Sequence, residues 1–168
     1  MESIESVKNK PRITVLGIGN ILLQDEGVGV HLVQELAGEL HNTDVDLIDA
    51  GTSPDIPYLV SDETDKLIIV DAVDAGDEPG AIYKFTPEDI EQDEASPISL
   101  HEIGVLQSLR LMALENRKPK STVIIGIQPK TIDYGMELSN EVKKKLPKVI
   151  NLVLKEIEET KTATEVLI

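Results

Sequence analysis

The segment that most constrains the fold is a short run of apolar residues at 67–70, between Lys66 and Asp71. Consecutive apolar side chains without polar alternation are typical of a strand that is buried on both faces, as in a parallel sheet. Neighbouring parallel strands need a crossover connection, which is usually a helix. The run therefore predicts an α/β fold in which helices cover both faces of the sheet.

The rest of the chain agrees with this prediction, because strand-like and helical segments alternate along it. Predicted strands lie at 13–17, 45–49, 66–71, 81–85 and 121–126. Predicted helices begin near Asp25, after Pro54, at a capping box formed by Ser99 and Glu102, and near Ser139. Residues 86–98 are predicted to be an acidic loop with at most one helical turn. We therefore predict a single three-layer α/β/α domain over 1–168 with a mostly parallel sheet, a polar lead-in at 1–11 and a frayed end at 160–168.

Apolar residues at helical spacing predict which side of each helix faces the core. The first helix is predicted to bury Val30, Val33, Ala37 and Leu40. The helix after the capping box is predicted to bury Ile103, Leu106, Leu109 or Arg110, and Ala113. The last helix is predicted to bury Val142, Leu146, Val149, Val153 and Ile157. Pro147 lies inside that last helix and removes a backbone donor, which predicts a kink or two abutting helices.

Composition excludes several classes of function. The chain carries 16 Lys and Arg against 31 Asp and Glu, a formal charge of −15, so nucleic acid and anionic membranes are poor partners. It contains no cysteine, which excludes a disulfide framework, a thiolate nucleophile and an iron–sulfur site. The first residues lack the pattern of a signal peptide, and the apolar runs are too short to span a bilayer. We therefore expect a cytoplasmic protein.

Polar residues and glycines follow several of the predicted strands. Right-handed crossovers place all strand-to-helix loops of a parallel sheet on one rim, and ligands of open α/β sheets bind at that rim. The residues predicted there are Gly17, Gly19, Asn20, Asp25, Glu26, Asp49, Gly51, Thr52, Asp71, His101, Gly126 and Pro129. The sequence therefore predicts that carboxylates, one imidazole and exposed backbone converge at the carboxyl ends of the strands.

Metal binding is the chemistry that best fits this rim. Glu26, Asp71 and His101 offer two carboxylates and one imidazole, a donor set that suits a borderline divalent ion such as zinc or nickel. Glu26 and His101 are predicted in first helical turns, where the helix dipole favours the ionised Glu and neutral His that coordinate metals. Simpler roles stay open at this point: a dipole partner for Glu26, a loop cap for Asp71 and a surface position for His101.

Other kinds of site fit less well. Gly17 and Gly19 resemble the start of a dinucleotide-binding fingerprint, but Leu22 stands where the third glycine belongs. The chain contains neither the G-x-S-x-G element of α/β-hydrolases nor the H-E-x-x-H helix of zinc proteases. The segment DAGT at 49–52 resembles an aspartic-protease element, but it occurs once and such sites need two carboxylates.

Six short motifs stand in a specific order along the chain. They are GIGNILLQDEGVG at 17–29, DAGT at 49–52, DAV at 71–73, EPG at 78–80, SLHEIG at 99–104 and GIQP at 126–129. Together they resemble the motifs of the nickel–iron hydrogenase maturation endopeptidases over roughly residues 12–157. The first motif is the most specific one, although Asp25 and Glu26 stand where the family commonly has two aspartates.

The resemblance implies a fold and an activity. The family fold is a twisted five-stranded sheet between helical layers with one antiparallel strand, for which 81–85 is the candidate. Members of the family remove a C-terminal extension from the hydrogenase large-subunit precursor after nickel has been inserted. The expected partner is therefore that precursor, and the expected protein is a monomeric endopeptidase.

The resemblance also implies roles for individual residues. The catalytic and metal-contacting residues carried over from the family motifs are Glu26, Asp71 and His101. The residues expected to bind the substrate are Gly19, Asn20, Asp49, Gly51 and Thr52, of which the last three match a region linked to nickel-dependent recognition. Nickel is expected to arrive with the substrate, and zinc or cadmium would be a surrogate ion.

Three other functions stay open from the sequence. One is a non-catalytic, nickel-sensing chaperone that holds the precursor without cutting it. The second is a nucleotide-dependent enzyme, against which the acidic rim argues because it would repel phosphate groups. The third is a zinc hydrolase of ordinary peptides.

Overall fold

The computed structural model describes residues 10–41, 44–52, 55–92 and 100–166, with the backbone alone at 100–103. The strands in these ranges are β1 (Ile13–Ile18), β2 (Val45–Gly51), β3 (Lys66–Ala72), β4 (Ile82–Phe85) and β5 (Ser121–Ile127). The helices are α1 (Val28–Glu39), α2 (Ile56–Leu59), α3 (Pro87–Gln92), α4 (Leu100–Leu114) and α5 (Asn140–Val166), and a 3-10 turn spans Gln24–Gly27. Most of the predicted lead-in, the capping residue Ser99 and residues 93–98 of the acidic loop lie outside the described residues.

These strands form one sheet in the order β2-β1-β3-β5-β4. Neighbouring strands are parallel except for β4, which runs antiparallel to β5. The predicted five-stranded, mostly parallel sheet and its antiparallel strand are therefore confirmed. After β1 the chain forms β2 on one side of β1 and then crosses to form β3 on the other side. The carboxyl ends of β1 and β3 therefore flank the switch point, where open α/β sheets bind their ligands.

Helices cover both faces of the sheet. On one face α1 and α5 pack on side chains that include Val15 and Val70. On the opposite face α2, α3 and α4 pack on side chains that include Leu16 and Ile69. Because successive residues of a strand point to opposite faces, each central strand needs apolar side chains at every position. This double burial explains the unbroken apolar runs from which the fold was predicted.

Two of the predicted helix faces are wrong by one residue. In α1 Val30 and Val33 are buried as predicted, but Leu36 enters the core and Ala37 is exposed. In α4 Met112 is fully buried, whereas Ala113 is exposed. In both places two apolar residues are adjacent, so the spacing does not decide between them. The larger side chain is buried because the free energy gained on burial grows with apolar area.

Helix α5 is one continuous helix rather than two abutting ones. All five side chains predicted for its inner face are buried. Pro147 lies on the exposed side, where water can satisfy the carbonyl that loses its partner. The helix continues to Val166, into the segment that we expected to be frayed, and the hydroxyls of Thr160, Thr162 and Thr164 donate to carbonyls one turn earlier. No helix in the described ranges is both long and apolar enough to cross a membrane.

Candidate functional site

Two of the three residues that the sequence predicted to contact a metal lie on the rim at the switch point between β1 and β3. Asp71 lies near the carboxyl end of β3, opposite Gly126 of β5. Glu26 lies in the 3-10 turn that follows β1, and this turn contacts β3. Two carboxylates from separate segments therefore lie on the rim where the topology predicts a ligand site.

Asp71 is held rigidly by its strand. Its side chain is buried, and its Oδ1 accepts a hydrogen bond from the N–H of Ala72 at 2.8 Å. A buried carboxylate is expensive to keep charged unless other groups compensate it. The position of Asp71 at the end of a buried strand, next to the rim, is typical of a functional group rather than of a core residue.

Close backbone packing brings the turn with Glu26 to β3. A Cβ atom on Gly29 would lie 2.2 Å from the carbonyl oxygen of Val70, the residue before Asp71, so only glycine lets α1 approach this strand so closely. A Cβ atom on Gly17 would lie 2.2 Å from the carbonyl oxygen of Gly29. The glycines in the GIGN…GVG motif are therefore required for the approach of α1 to β1 and β3.

Gly19 has a second role in the same motif. Its φ of +138° lies in a region that side chains disfavour, and a Cβ atom there would lie 1.8 Å from the carbonyl oxygen of Glu26. The N–H of Gly19 donates to the carbonyl of Gly51 at 2.8 Å. Gly19 therefore joins the carboxyl ends of β1 and β2 while it leaves room for the turn that carries Glu26.

The other residues predicted to bind substrate lie on the same rim. Asp49 is exposed, and its Oδ1 accepts a hydrogen bond from the N–H of Gly51 at 2.9 Å. Asn20 Oδ1 accepts one from the N–H of Leu22 at 2.9 Å, and Thr52 is exposed. These hydrogen bonds fix the two loops, and the space next to Gly51 is open because an added Cβ would meet nothing within 4 Å.

Asp25 has a structural role that the sequence did not reveal. Its side chain is fully buried and accepts three backbone hydrogen bonds, from Lys130 at 2.9 Å, Thr131 at 3.0 Å and Ser139 at 2.7 Å. These donors lie in the connection between β5 and α5. Asp25 therefore fixes that loop to the 3-10 turn. The predicted metal ligand is the next residue, Glu26.

Gln128 is a further buried residue at this rim that the sequence reasoning missed. Its Oε1 accepts hydrogen bonds from the N–H groups of Ala75 and Asp77, and its Nε2 donates to Asp74 Oδ1 at 3.0 Å. The hydrogen bonds from Gln128 and from the N–H of Gly76 lower the pKa of Asp74. The GIQP motif after β5 was the available signal, since a buried amide in a loop is typical of a residue that orders its neighbours.

A hydrogen bond from a tyrosine of β4 to the same loop raises the pKa of that tyrosine. Tyr83 donates from its hydroxyl to Asp77 Oδ2 at 2.8 Å. Partial burial and this hydrogen bond to a carboxylate raise the pKa of Tyr83 to about 12. This hydrogen bond joins β4 to the loop between β3 and β4.

His101 is the third predicted ligand. It lies in the first turn of α4, but its side chain lies outside the described part of the structure. Among the side chains that are described, no three of His, Asp or Glu are grouped so that they could hold a metal ion. The metal-contacting role of Glu26, Asp71 and His101 therefore stays a prediction.

Comparisons with known proteins agree with the geometry. The sequence profile described as hydrogenase maturation protease matches residues 30–156. The hydrogenase expression/formation protein HupD of Thiocapsa roseopersicina is 35% identical over 153 residues, which cover 88% of this chain and 68% of that protein. The hydrogenase 2 maturation protease of Escherichia coli is 31% identical over 153 residues, covering 89% of this chain and 92% of that protein.

Solved structures with a similar fold belong to the same family. The hydrogenase maturating endopeptidase HybD from E. coli matches with a TM-score of 0.78 at 27% identity, covering 89% of this chain and 93% of that chain. The [NiFe] hydrogenase maturation protease HybD from Thermococcus kodakarensis matches with a TM-score of 0.73 at 32% identity, covering 87% of this chain and 99% of that chain. By sequence and by fold, this chain belongs to the hydrogenase maturation protease family.

Proposed function

We propose that this protein is an endopeptidase that removes the C-terminal extension of a nickel–iron hydrogenase large-subunit precursor once nickel has been inserted. The observation that carries the proposal is the position of Asp71 and of the turn with Glu26 at the switch point of a hydrogenase maturation protease fold. We further propose that the protein acts as a monomer in the cytoplasm, where its precursor is made.

The nickel ion belongs to the substrate in this proposal. The precursor presents it with open coordination positions, and Glu26, Asp71 and His101 bind it as additional ligands. Carboxylate oxygens and an imidazole nitrogen are donors that a borderline divalent ion such as Ni²⁺ accepts. Zinc or cadmium would occupy the same donors as a surrogate ion. Recognition of a metal that only the loaded precursor carries would make cleavage conditional on correct assembly.

Binding of the ion would then position the peptide bond. A scissile bond that is fixed next to the site reacts in an effectively unimolecular step, which lowers the barrier by several kcal/mol. An ion held there would also be able to polarise a carbonyl oxygen or a water molecule beside it. Water adds to the carbonyl carbon, the C–N bond breaks and the amine leaves with a proton. The chain has no cysteine that would act as a nucleophile instead.

The neighbouring loops would bind the substrate on either side of the ion. Gly19 and Asn20 lie in the loop after β1. Asp49 and Gly51 lie at the end of β2, and Thr52 follows it. The open space at Gly51 allows a peptide backbone to approach closely. Asp49 is exposed at this point and is available to a donor of the substrate.

The decisive experiment compares nickel-loaded and nickel-free precursor. Each form is incubated with the purified protein, and the mass of the large subunit is measured. We expect the loaded form alone to lose its C-terminal extension. Shortening of both forms would contradict the role of nickel, and shortening of neither form would contradict the endopeptidase.

Two outcomes of related measurements would favour the other functions. If the wild-type protein binds the loaded precursor but never shortens it, the nickel-sensing chaperone is correct. If the purified protein contains one tightly bound zinc ion per chain, an ordinary zinc hydrolase is favoured. For the proposed enzyme we expect His101→Ala to abolish cleavage while binding of the precursor is largely retained.

A further inference from the structure

A group of exposed apolar side chains lies directly beside the candidate site. Leu22, Ile132, Tyr134 and Met136, here called the apolar patch, are each between 53% and 89% exposed. Leu22 belongs to the loop after β1, and the other three belong to the loop between β5 and α5. Several large apolar side chains exposed on neighbouring loops are typical of a protein interaction site rather than of an ordinary surface.

Backbone hydrogen bonds hold the two loops of the apolar patch together. The N–H of Gly135 donates to the carbonyl of Leu22 at 3.0 Å, and the N–H of Gln24 donates to the carbonyl of Gly135 at 2.9 Å. Leu23 and Gly135 form an isolated parallel bridge. Leu22 is therefore fixed next to Tyr134 and Met136, the sequence neighbours of Gly135.

Further backbone hydrogen bonds connect the patch to Glu26. The N–H of Glu26 donates to the carbonyl of Leu23 at 3.2 Å, and the N–H of Asp25 donates to the carbonyl of Thr131 at 3.1 Å. The buried carboxylate of Asp25 fixes the second loop at three further points. A surface that is ordered before binding loses little entropy on association, which favours affinity.

Charge around the patch indicates the chemistry of its partner. Asp133 lies next to Tyr134 in the same loop, and the whole chain carries a formal charge of −15. Glu137 belongs to this loop as well, with its Oε2 3.9 Å from Lys143 Nζ. A partner that surrounds apolar side chains with Lys and Arg would match both the patch and its acidic surroundings. Large apolar side chains at the centre of such an interface provide most of its affinity.

We infer that the apolar patch is the docking surface for the folded part of the precursor, through a basic-rimmed apolar area of that protein. The inference rests on the proposed function, because it takes the precursor as the substrate of the site at Glu26 and Asp71. A large protein that delivers a peptide to Glu26 also covers the loop only a few residues away. The patch would set the affinity for the precursor, and the site itself would set the rate of cleavage.

The test uses two double variants of the full chain. Leu22→Ala/Tyr134→Ala removes the centre of the patch. Tyr58→Ala/Leu114→Ala is the matched control, because these side chains are 87% and 83% exposed but lie on α2 and at the end of α4. Initial rates of cleavage are measured against the concentration of nickel-loaded precursor. All four residues are exposed, so both variants are expected to fold.

We expect the patch variant to raise KM about tenfold or more while kcat changes less than about twofold, and the control to change neither. We also expect the KM of the wild-type protein to rise with ionic strength, because salt screens attraction between acidic and basic surfaces. An unchanged KM in the patch variant, an equal rise in the control, or a KM that does not depend on salt would overturn the inference.

A binding measurement separates this inference from the proposed function. Asp71→Asn, which is expected to stop cleavage, is used as the common background, and its affinity for loaded precursor is measured by calorimetry with and without the patch substitutions. The ratio of the two affinities is compared, so that any loss of binding caused by Asp71→Asn itself cancels. Cleavage by the wild-type protein with equal affinities in the two variants would refute the docking surface and leave the endopeptidase intact. Weaker binding by the patch variant, with no cleavage by the wild-type protein, would support the docking surface and refute the endopeptidase.

Discussion

The two ends of the sheet use their carboxylates in different ways. At the end where the strands begin, Glu156 forms salt bridges with Lys66 and Lys84, and Arg12 pairs with Asp46 and Glu63. These acids are neutralised by cations. At the carboxyl end, Asp25, Asp49 and Asp74 accept hydrogen bonds from N–H groups of the backbone or of Gln128.

The difference supports the proposed position of the ligand site at the carboxyl end. An acid that is paired with Lys or Arg has its charge satisfied within the protein, whereas an acid that is held by N–H groups keeps a net negative charge. A concentration of such charge at the carboxyl ends of the strands attracts cations. The opposite end has a groove lined by Arg12, Lys66 and Glu156, but the charges in it are paired with one another or with Glu63 and Lys84.

The largest expected effect comes from replacing one carboxylate by an amide at each end of the sheet and comparing the rates of cleavage. Asp71→Asn at the carboxyl end is expected to reduce kcat for cleavage of loaded precursor by roughly 10³-fold or more, since it would remove one of the ligands that we propose for the nickel ion. Asp46→Asn at the amino end is the matched control, because it breaks an exposed ion pair with Arg12. Cleavage by the control is expected within about twofold of wild type. Equal losses in the two variants would show that the site is not at the switch point.

The second prediction concerns the packing that brings Glu26 to β3. Gly29→Ala places a Cβ 2.2 Å from the carbonyl oxygen of Val70, so we expect it to lower the free energy of unfolding by about 3 kcal/mol. Gly38→Ala in the same helix meets nothing within 4 Å and is expected to raise that free energy by about 0.5 kcal/mol. Urea unfolding followed by circular dichroism measures both. A Gly29→Ala variant as stable as wild type would refute the close-packing role.

The fold was predictable from sequence because its signals are local and redundant. The run at 67–70 identifies a strand buried on both faces, and the stripe of α5 follows one helical period throughout. The predicted buried face of a helix was wrong by one residue where two apolar residues are adjacent, as at Leu36 and Ala37. Spacing alone does not tell which of the two side chains is buried.

The sequence predicted which residues lie on the rim at the carboxyl ends of the strands, but it did not predict the contacts that hold them there. Glu26 and Asp71 follow from strand ends and motif order, which the topology then brings to one rim. The roles of Gly29, Asp25 and Gln128 depend on contacts with residues far away in the chain, such as Asp25 with Ser139. A single sequence does not contain such long-range contacts, so a carboxylate that fixes a loop and one that binds a metal look alike in it.

The smallest expected effect lies at the amino end and depends on pH. Burial raises the pKa of Glu156, but the hydrogen bonds and charges of Lys84 and Lys66 lower it further, so that the net pKa in the folded protein is below its usual value of 4.5. A carboxyl group with a lowered pKa stabilises the folded state above its unfolded pKa, and this stabilisation is lost as pH falls through the folded pKa. We therefore expect Glu156→Gln to lower the free energy of unfolding by about 2 kcal/mol at neutral pH.

This loss should shrink as the pH falls below 4.5, because the wild-type carboxyl group then becomes protonated and resembles the neutral amide of the variant. Urea unfolding of both proteins between neutral pH and about pH 3.5 measures the difference. Cleavage of loaded precursor at neutral pH by Glu156→Gln is expected to match that of wild type, since the residue lies at the end of the sheet away from Asp71. A stability difference that does not change with pH would show that the charge of Glu156 is not what stabilises the fold, and a loss of cleavage without unfolding would show that the two ends of the sheet are coupled.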